Sequence, residues 1–298
     1  MSPSIDFDKV FLQSLSCDSI TARSIEATVL RIDKLHPVIS GNKWFKLKYH
    51  LEDAVGKGFE TIASFGGAYS NHLAATAFAC KEAGLKSIGI IRGERMIELS
   101  HTLQQAEADG MQLIFVTRND FKDIENIKMK FAQPNWYWVN TGGYSPLGAK
   151  GASEIFNRID ETYTHILCAT GTGTMMAGLI KAAKDHQTII GINSMKNETL
   201  INDVKNLLDE YELRKRYSLL HDYHFGGFAK HPPALIDFMK KLWKEHQLPT
   251  DIIYTSKLLF AVFDLIKKDH FPKKSKLMII HSGGLQGNLS LPINTLPF

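Results

Sequence analysis

The stretch Thr61-Ile62-Ala63-Ser64-Phe65-Gly66-Gly67-Ala68-Tyr69-Ser70-Asn71-His72 decides the fold. Thr61–Phe65 reads as a strand, the glycine pair breaks it, and His72–Ala83 reads as a helix closed by Gly84. Ser87–Ile91 follows as a second short apolar run. Strand, helix and strand in that order make a βαβ unit, the repeat of an α/β protein.

Downstream the alternation continues. A helix is expected around Thr102–Asp109, a strand at Gln112–Val116, a helix over Phe121–Phe131 and a strand at Trp136–Val139. The Gly/Ser/Pro-rich run Thr141–Gly148 interrupts this pattern and is the candidate interdomain linker. A second unit follows, with a helix near Ala152–Ile159, the strand His165–Ala169, a Gly-rich turn, the helix Met175–His186 and the strand Thr188–Ile192. Helices are then expected at Thr199–Tyr211, Ala234–His246 and Leu258–Lys268, and a last strand at Leu277–His281, while Arg214–Lys230 reads as loop with room for a short strand.

Upstream lies Ser40-Gly41-Asn42-Lys43-Trp44-Phe45-Lys46-Leu47. Ser40 and Asn42 can cap a helix there, and Leu47, Leu51, Ala54 and Val55 recur at helical spacing until Gly56 and Gly58. Lys43 thus falls in a first turn, where the macrodipole disfavours a cation by ~0.3–1 kcal/mol. It is either a solvated helix-start lysine or an amine kept for covalent chemistry with an aldehyde, which desolvation and nearby positive charge would favour.

Composition narrows the classes. The 298 residues suffice for two domains of ordinary size, and 44% hydrophobic with 22% charged residues is ordinary for a globular chain. Thirty-five basic against 31 acidic residues leave +4, scattered, which gives little support to nucleic acid as a partner. Cys17, Cys80 and Cys168 are far apart and form no CxxC, so neither a disulfide framework nor a structural zinc site is expected, and no metal site is read from the chain. Met1–Asp6 shows no basic n-region with an apolar core, and no run of about 18 apolar residues occurs. The expectation is a cytoplasmic protein with no membrane partner.

Three loops follow strands and carry small or polar residues. Thr170-Gly171-Thr172-Gly173-Thr174 offers backbone N–H groups and hydroxyls at a helix start, an anion cradle or else a plain βα turn. It lacks the Gly-Lys-Ser/Thr of a nucleotide loop. Ser70-Asn71 either caps a helix or faces a ligand, and His281-Ser282-Gly283-Gly284 ends the last strand, pointing to the carboxyl ends of strands where α/β sheets bind ligands. A dinucleotide site would want an acidic residue about twenty positions past its glycines; Asp185 comes too early and Asn193 is not acidic.

Taken together, Ser-Gly-Asn-Lys43-x-x-Lys46-Leu47, Gly66-Gly67-x-x-Ser70-Asn71, the Gly/Thr loop and Ser282-Gly283-Gly284 resemble the D-cysteine desulfhydrase / 1-aminocyclopropane-1-carboxylate (ACC) deaminase family. The resemblance runs over nearly the whole chain. It implies a pyridoxal 5'-phosphate enzyme of the tryptophan-synthase-β type (fold type II): two doubly wound three-layer α/β domains, with the cofactor in the cleft between them. The smaller domain, 47–152, would be inserted into the larger, 1–46 with 153–298, and the assembly would be a homodimer.

The resemblance also implies residue roles. Lys43 would be the Schiff-base lysine and Lys46 a second cofactor-side lysine. Asn71 would contact the cofactor, Gly171, Thr172, Gly173 and Thr174 would hold its phosphate, and Thr255 and Ser282 would complete its site. Ser70, Asn71, His72, Phe228 and Tyr254 would meet a small amino-acid substrate, with Ser70 and Tyr254 catalytic beside Lys43. Phe228 stands where the family has a tyrosine, and Thr255 where ACC deaminase-like members carry a glutamate. Both departures lean toward β-elimination from a small D-amino acid such as D-cysteine, with ACC ring opening and a nucleotide-binding oxidoreductase as alternatives.

Overall fold

A computed structural model describes residues 5–131 and 133–298; Met1–Ser4, part of the N-terminal reading, and Ala132 lie outside the described residues. In chain order the strands are β1 (Leu12–Leu15), β2 (Glu26–Leu30), β3 (Thr61–Gly66), β4 (Lys86–Arg92), β5 (Met111–Val116), β6 (Trp136–Val139), β7 (His165–Thr170), β8 (Thr188–Asn193), β9 (Arg216–Leu220) and β10 (Lys276–Ile280). The helices are α1 (Asp18–Ala22), α2 (Asn42–Gly56), α3 (Asn71–Ala83), α4 (His101–Ala108), α5 (Ile124–Phe131), α6 (Pro146–Ser153), α7 (Thr174–Ala182), α8 (Leu200–Lys205), α9 (Pro233–His246) and α10 (Thr255–Lys267).

Two sheets result. The larger runs β1-β2-β10-β7-β8-β9, parallel except for β1 against β2, and the smaller runs β5-β4-β3-β6, parallel throughout. All four strands of the smaller sheet lie in sequence between β2 and β7 of the larger one. Parallel strands need both faces covered, and both are. The main core lies between the sheets, where Leu47 and Leu51 of α2, Ala149 of α6 and Leu179 of α7 meet Ile62 and Val139 on one side and Ile166 and Met278 on the other. α9 and α10 cover the far face of the larger sheet through Leu242, Leu259 and Val262. α4 and α5 close the smaller sheet with Leu103 and Ile127.

Several expectations change, each for a local reason. The run at 141–148 is irregular only to Ser145, whose hydroxyl accepts from Gly148 N at 2.8 Å and starts α6. The helix expected near Ala152–Ile159 is the end of α6 followed by a tight turn over Glu154–Arg158. A Cβ on Gly151 would overlap the Phe45 carbonyl and one on Gly178 would crowd Ala152, so these glycines let α2, α6 and α7 lie against one another. Gly148, the last residue of the 141–148 run, already belongs to α6.

The helix expected over Thr199–Tyr211 shrinks to α8, because Asp209 and Glu212 cap each other's backbone N–H groups at 2.8 and 2.9 Å and begin a new turn. α7 stops at Ala182 rather than running to His186. There Lys215 Nζ donates to the carbonyls of Ile180, Lys181 and Ala183, which a longer helix would have used internally. The helix over Phe121–Phe131 is interrupted at Asp123, which accepts from Asn126 N at 3.0 Å. β9 is the short strand within Arg214–Lys230, and β1, α1 and β2 form from residues whose patterning carried no expectation.

Candidate active site

The loops that follow β3, β7 and β10 open into one cleft, a cavity of about 350 Å³ between the two sheets. Its floor is the start of α2. Gly41, not Ser40 or Asn42, is the N-cap: its φ is +61°, and a Cβ there would overlap the Ser282 carbonyl. That carbonyl accepts from Asn42 N at 3.2 Å, so the Ser40-Gly41 and Ser282-Gly283 backbones interlock. Ser40 is turned away and donates to the Asp33 carbonyl at 3.3 Å. Behind this joint, Arg31 holds Asp33 through two bonds of 2.7 Å. Burial raises the Asp33 carboxyl, but the His281 ring and the Arg31 guanidinium outweigh it and hold the group below the usual carboxylate range.

Lys43 is half-buried at the cavity, and its Nζ donates to Asn42 Oδ1 at 2.6 Å. Burial lowers it to about 8 against the pull of the Asp251 carboxylate. Lys46, one turn on and on the same helix face, is buried and has no hydrogen-bond or ion-pair partner among the described residues. Burial, reinforced by Lys43, lowers it to about 7. Two amines in one cleft, one of them without any protein partner, describe a place for an anion.

The Gly/Thr loop supplies an anion's second wall. Gly173 caps α7 at φ +81°, Thr172 and Thr174 share a hydroxyl bond of 3.0 Å, and Gly171 lies under the Tyr254 ring, whose Cε1 would be 3.0 Å from an added Cβ. The first backbone N–H groups of α7 are left for a ligand.

On the smaller sheet's side, Ser70 is the N-cap of α3 and accepts from Leu73 N at 3.3 Å. Asn71 touches the Gly284 carbonyl at 3.4 Å, and its Oδ1 is buried without a partner. Ser64 gives its proton to the Val139 carbonyl at 2.8 Å, so its oxygen accepts from His72 Nε2 at 2.9 Å. His72 is therefore the neutral Nε2–H form, in keeping with a pKa driven well below normal by burial and by the two lysines, and its Nδ1 is a buried acceptor with no partner. Buried polar atoms are paired in folded proteins unless something else is to pair them.

The opposite wall is Tyr254, with the Phe228 ring 6.5 Å away and edge-on. Phe228 is 49% exposed at the mouth, where Arg92 and Phe121 also line the opening. Burial and then Asp251 raise the Tyr254 phenol, which stays protonated. Thr255 does not line the cavity. Its hydroxyl donates to Asp251 Oδ1 at 2.6 Å and accepts from Asp251 N at 2.8 Å, which uses its proton and one of its two lone pairs. Ser282 does line the cavity. Sequence reading missed Asp251, which is fully buried and builds the turn into α10 by accepting from the backbone N of Ile253, Tyr254 and Thr255 at 2.8–2.9 Å. The signal was there, an Asp four residues before a Thr at a helix start, but with α10 expected from Leu258 it lay outside the helix.

Such a cleft suits a cofactor that carries both a carbonyl and an anionic group. Lys43 offers an amine of lowered basicity, the α7 start and Lys46 offer anion contacts, and Asn71 and His72 hold unpaired polar atoms, so the residues fit pyridoxal phosphate. Residues 16–283 match the model of the family described as pyridoxal-phosphate dependent enzyme, and the chain belongs to that family. A Pyrococcus abyssi protein with the provisional name 1-aminocyclopropane-1-carboxylate deaminase is 27% identical, over 88% of this chain and 86% of its own. The Arabidopsis thaliana bifunctional D-cysteine desulfhydrase/1-aminocyclopropane-1-carboxylate deaminase, mitochondrial, is 25% identical, over 88% of this chain and 73% of its own. Among solved structures, an ACC deaminase homologue superposes with a TM-score of 0.80 at 25% identity, covering 94% of this chain and 90% of its own.

Proposed function

We propose that the protein is a pyridoxal-phosphate dependent lyase that acts by β-elimination on a small β-substituted D-amino acid such as D-cysteine. D-cysteine and water would give pyruvate, ammonia and hydrogen sulfide. The cofactor, when bound, supplies a sink for the negative charge that develops at the substrate's α-carbon. Lys43 carries it and moves the α-proton at Nζ. Thr172, Thr174 and the backbone of 171–174 hold the phosphate, with Lys46 adding charge. Ser70 and Asn71 orient the substrate from the α3 start, Tyr254 gives a neutral phenol, and Phe228 closes the mouth. The chain divides, in this reading, into a smaller unit of residues 47–152 and a larger one of 1–46 with 153–298, in support of which all strands of the smaller sheet come from one continuous segment.

One observation carries the choice of reaction. Lys43, Lys46 and Arg92 line the cavity, and no carboxylate does among the described residues. Without an acid to reinforce the sink, charge at the α-carbon is less stabilised, and the favoured reaction is the one with the better leaving group. Thiolate leaves more readily than the carbon of a strained ring. Phe228 adds to this, since it has no hydroxyl to protonate such a carbon. Thr255 is neutral and so supplies no such acid either. The relatives bear the names of both activities. The test is a side-by-side assay for pyruvate from D-cysteine and 2-oxobutanoate from ACC: the higher kcat/KM is expected for D-cysteine, and a higher value for ACC would overturn the argument.

A further inference from the structure

Lys257 is the third residue of α10 and is 0% exposed. An ammonium buried at a helix start is doubly unfavourable, through desolvation and through the macrodipole, unless its donors are met. They are all met, by backbone. Nζ donates to the carbonyls of Ser194 at 3.1 Å, His224 at 2.9 Å and Gly227 at 2.8 Å, which uses its three N–H groups, and it has no ion-pair partner among the described residues. Burial lowers the amine to about 8 while Asp251 opposes, so it keeps its third proton at neutral pH.

The segment it grips is strained. Phe225, Gly226, Gly227 and Ala229 all have positive φ (53°, 94°, 120° and 56°), and two of these are not glycine. Such backbone persists only where its surroundings over-determine it. The segment's own bonds are few: Gly227 N and Lys230 N donate to the same two carbonyls at 3.0 and 3.2 Å, and Gly226 N donates to His224 Nδ1 at 2.9 Å. The third carbonyl belongs to Ser194, just past β8. Met195 and Phe228, the neighbours in sequence of two of the gripped residues, both line the cavity.

We propose that Lys257 is a positioning residue, an internal cation that ties the 224–229 segment to the end of β8 and thereby sets the cavity wall formed by Phe228 and Met195. The proposal rests on the cavity's being the substrate site. An apolar replacement takes one donor from each of the three carbonyls, leaves that of Ser194 with none among the described residues, and cuts the tie between the strained segment and β8, so the loss falls on substrate binding rather than on the chemistry at Lys43.

The test uses the holoenzyme and its Lys257→Met variant, with amide hydrogen exchange of 224–229 and steady-state kinetics on D-cysteine. The variant should exchange at least tenfold faster in this segment, raise KM about tenfold and keep kcat within about twofold. Lys257→Gln, which keeps one donor group without charge, should change both in the same direction by less, and it carries the test if Lys257→Met does not fold. Wild-type exchange or wild-type KM in a folded variant overturns the proposal, as does unprotected exchange of 224–229 in the unaltered protein. If D-cysteine is not a substrate, the proposed reaction fails, and the same comparison is made with ACC while the exchange result stands on its own.

Discussion

The start of α2 and the start of α10 pose the same problem and solve it in opposite ways. Each carries a lysine in its first turn, and burial lowers Lys43 and Lys257 alike to about 8, with the Asp251 carboxylate opposing in both cases. Lys257 has three carbonyl acceptors and no exposure, whereas Lys43 has one side-chain acceptor and opens on the cavity. A depressed lysine is therefore not by itself a nucleophile. What sets Lys43 and Lys46 apart from Lys257 is unmet coordination facing a space that a ligand can fill, because a fully bonded ammonium must give up a proton, and with it one of its three hydrogen bonds, before it has a lone pair to offer.

The contrast is sharpest in the paired variants Lys43→Ala and Lys257→Met. Lys43→Ala removes the proposed base and cofactor anchor, and turnover should fall by roughly 10³-fold, within the 10²–10⁴ range of general-base removal. The visible absorbance of the bound cofactor should shift with it, while Lys257→Met keeps the wild-type spectrum. Equal losses from the two variants would erase the distinction drawn here.

A pH series gives the next largest effect. In the cofactor-free protein the Lys43 amine must be unprotonated to react with an aldehyde. With its pKa near 8 rather than 10.5, the rate of reloading with pyridoxal phosphate should rise about tenfold from pH 7 to pH 9 and level off above that. A rate still climbing steeply at pH 10 would mean that Lys43 is not desolvated.

Asp251→Ala should act more gently on that profile. The carboxylate raises the Lys43 pKa, so its removal moves the reloading midpoint to lower pH. Loss of the three bonds that its carboxylate accepts from the backbone should also destabilise the fold, read by denaturant melts. A midpoint that moves upward would show that Asp251 does not act on Lys43 through charge.

Much of this site was legible because its parts are local. Gly66-Gly67, Gly171 to Thr174 and Ser282-Gly283 each follow a strand, and Lys43 follows a Ser-Gly-Asn turn. Strand ends in α/β proteins converge, so four separate motifs could be placed in one cleft from spacing and resemblance alone. The strands β3, β4, β6 and β7 were legible as apolar runs in the same way.

What was not legible depends on distance or on side chain–backbone bonding. Lys257 reads as an ordinary helix lysine because its acceptors are 63, 33 and 30 residues away. Asp251 is hidden because hydrophobic periodicity begins at Leu258, three residues after α10 does, and the interval is built by one carboxylate bonding to backbone. Thr255 is drawn into the same turn, where its hydroxyl bonds to Asp251. α6 was hidden because its small residues carry little helical patterning; one of them, Gly151, lets it lie against Phe45 of α2.

The central claim is that Lys43, among the depressed lysines of this fold, is the one that bonds the cofactor. Borohydride reduction of the loaded protein followed by peptide mapping tests it directly. The phosphopyridoxyl label is expected on Lys43; a label on Lys46 or Lys257, with none on Lys43, would contradict the account.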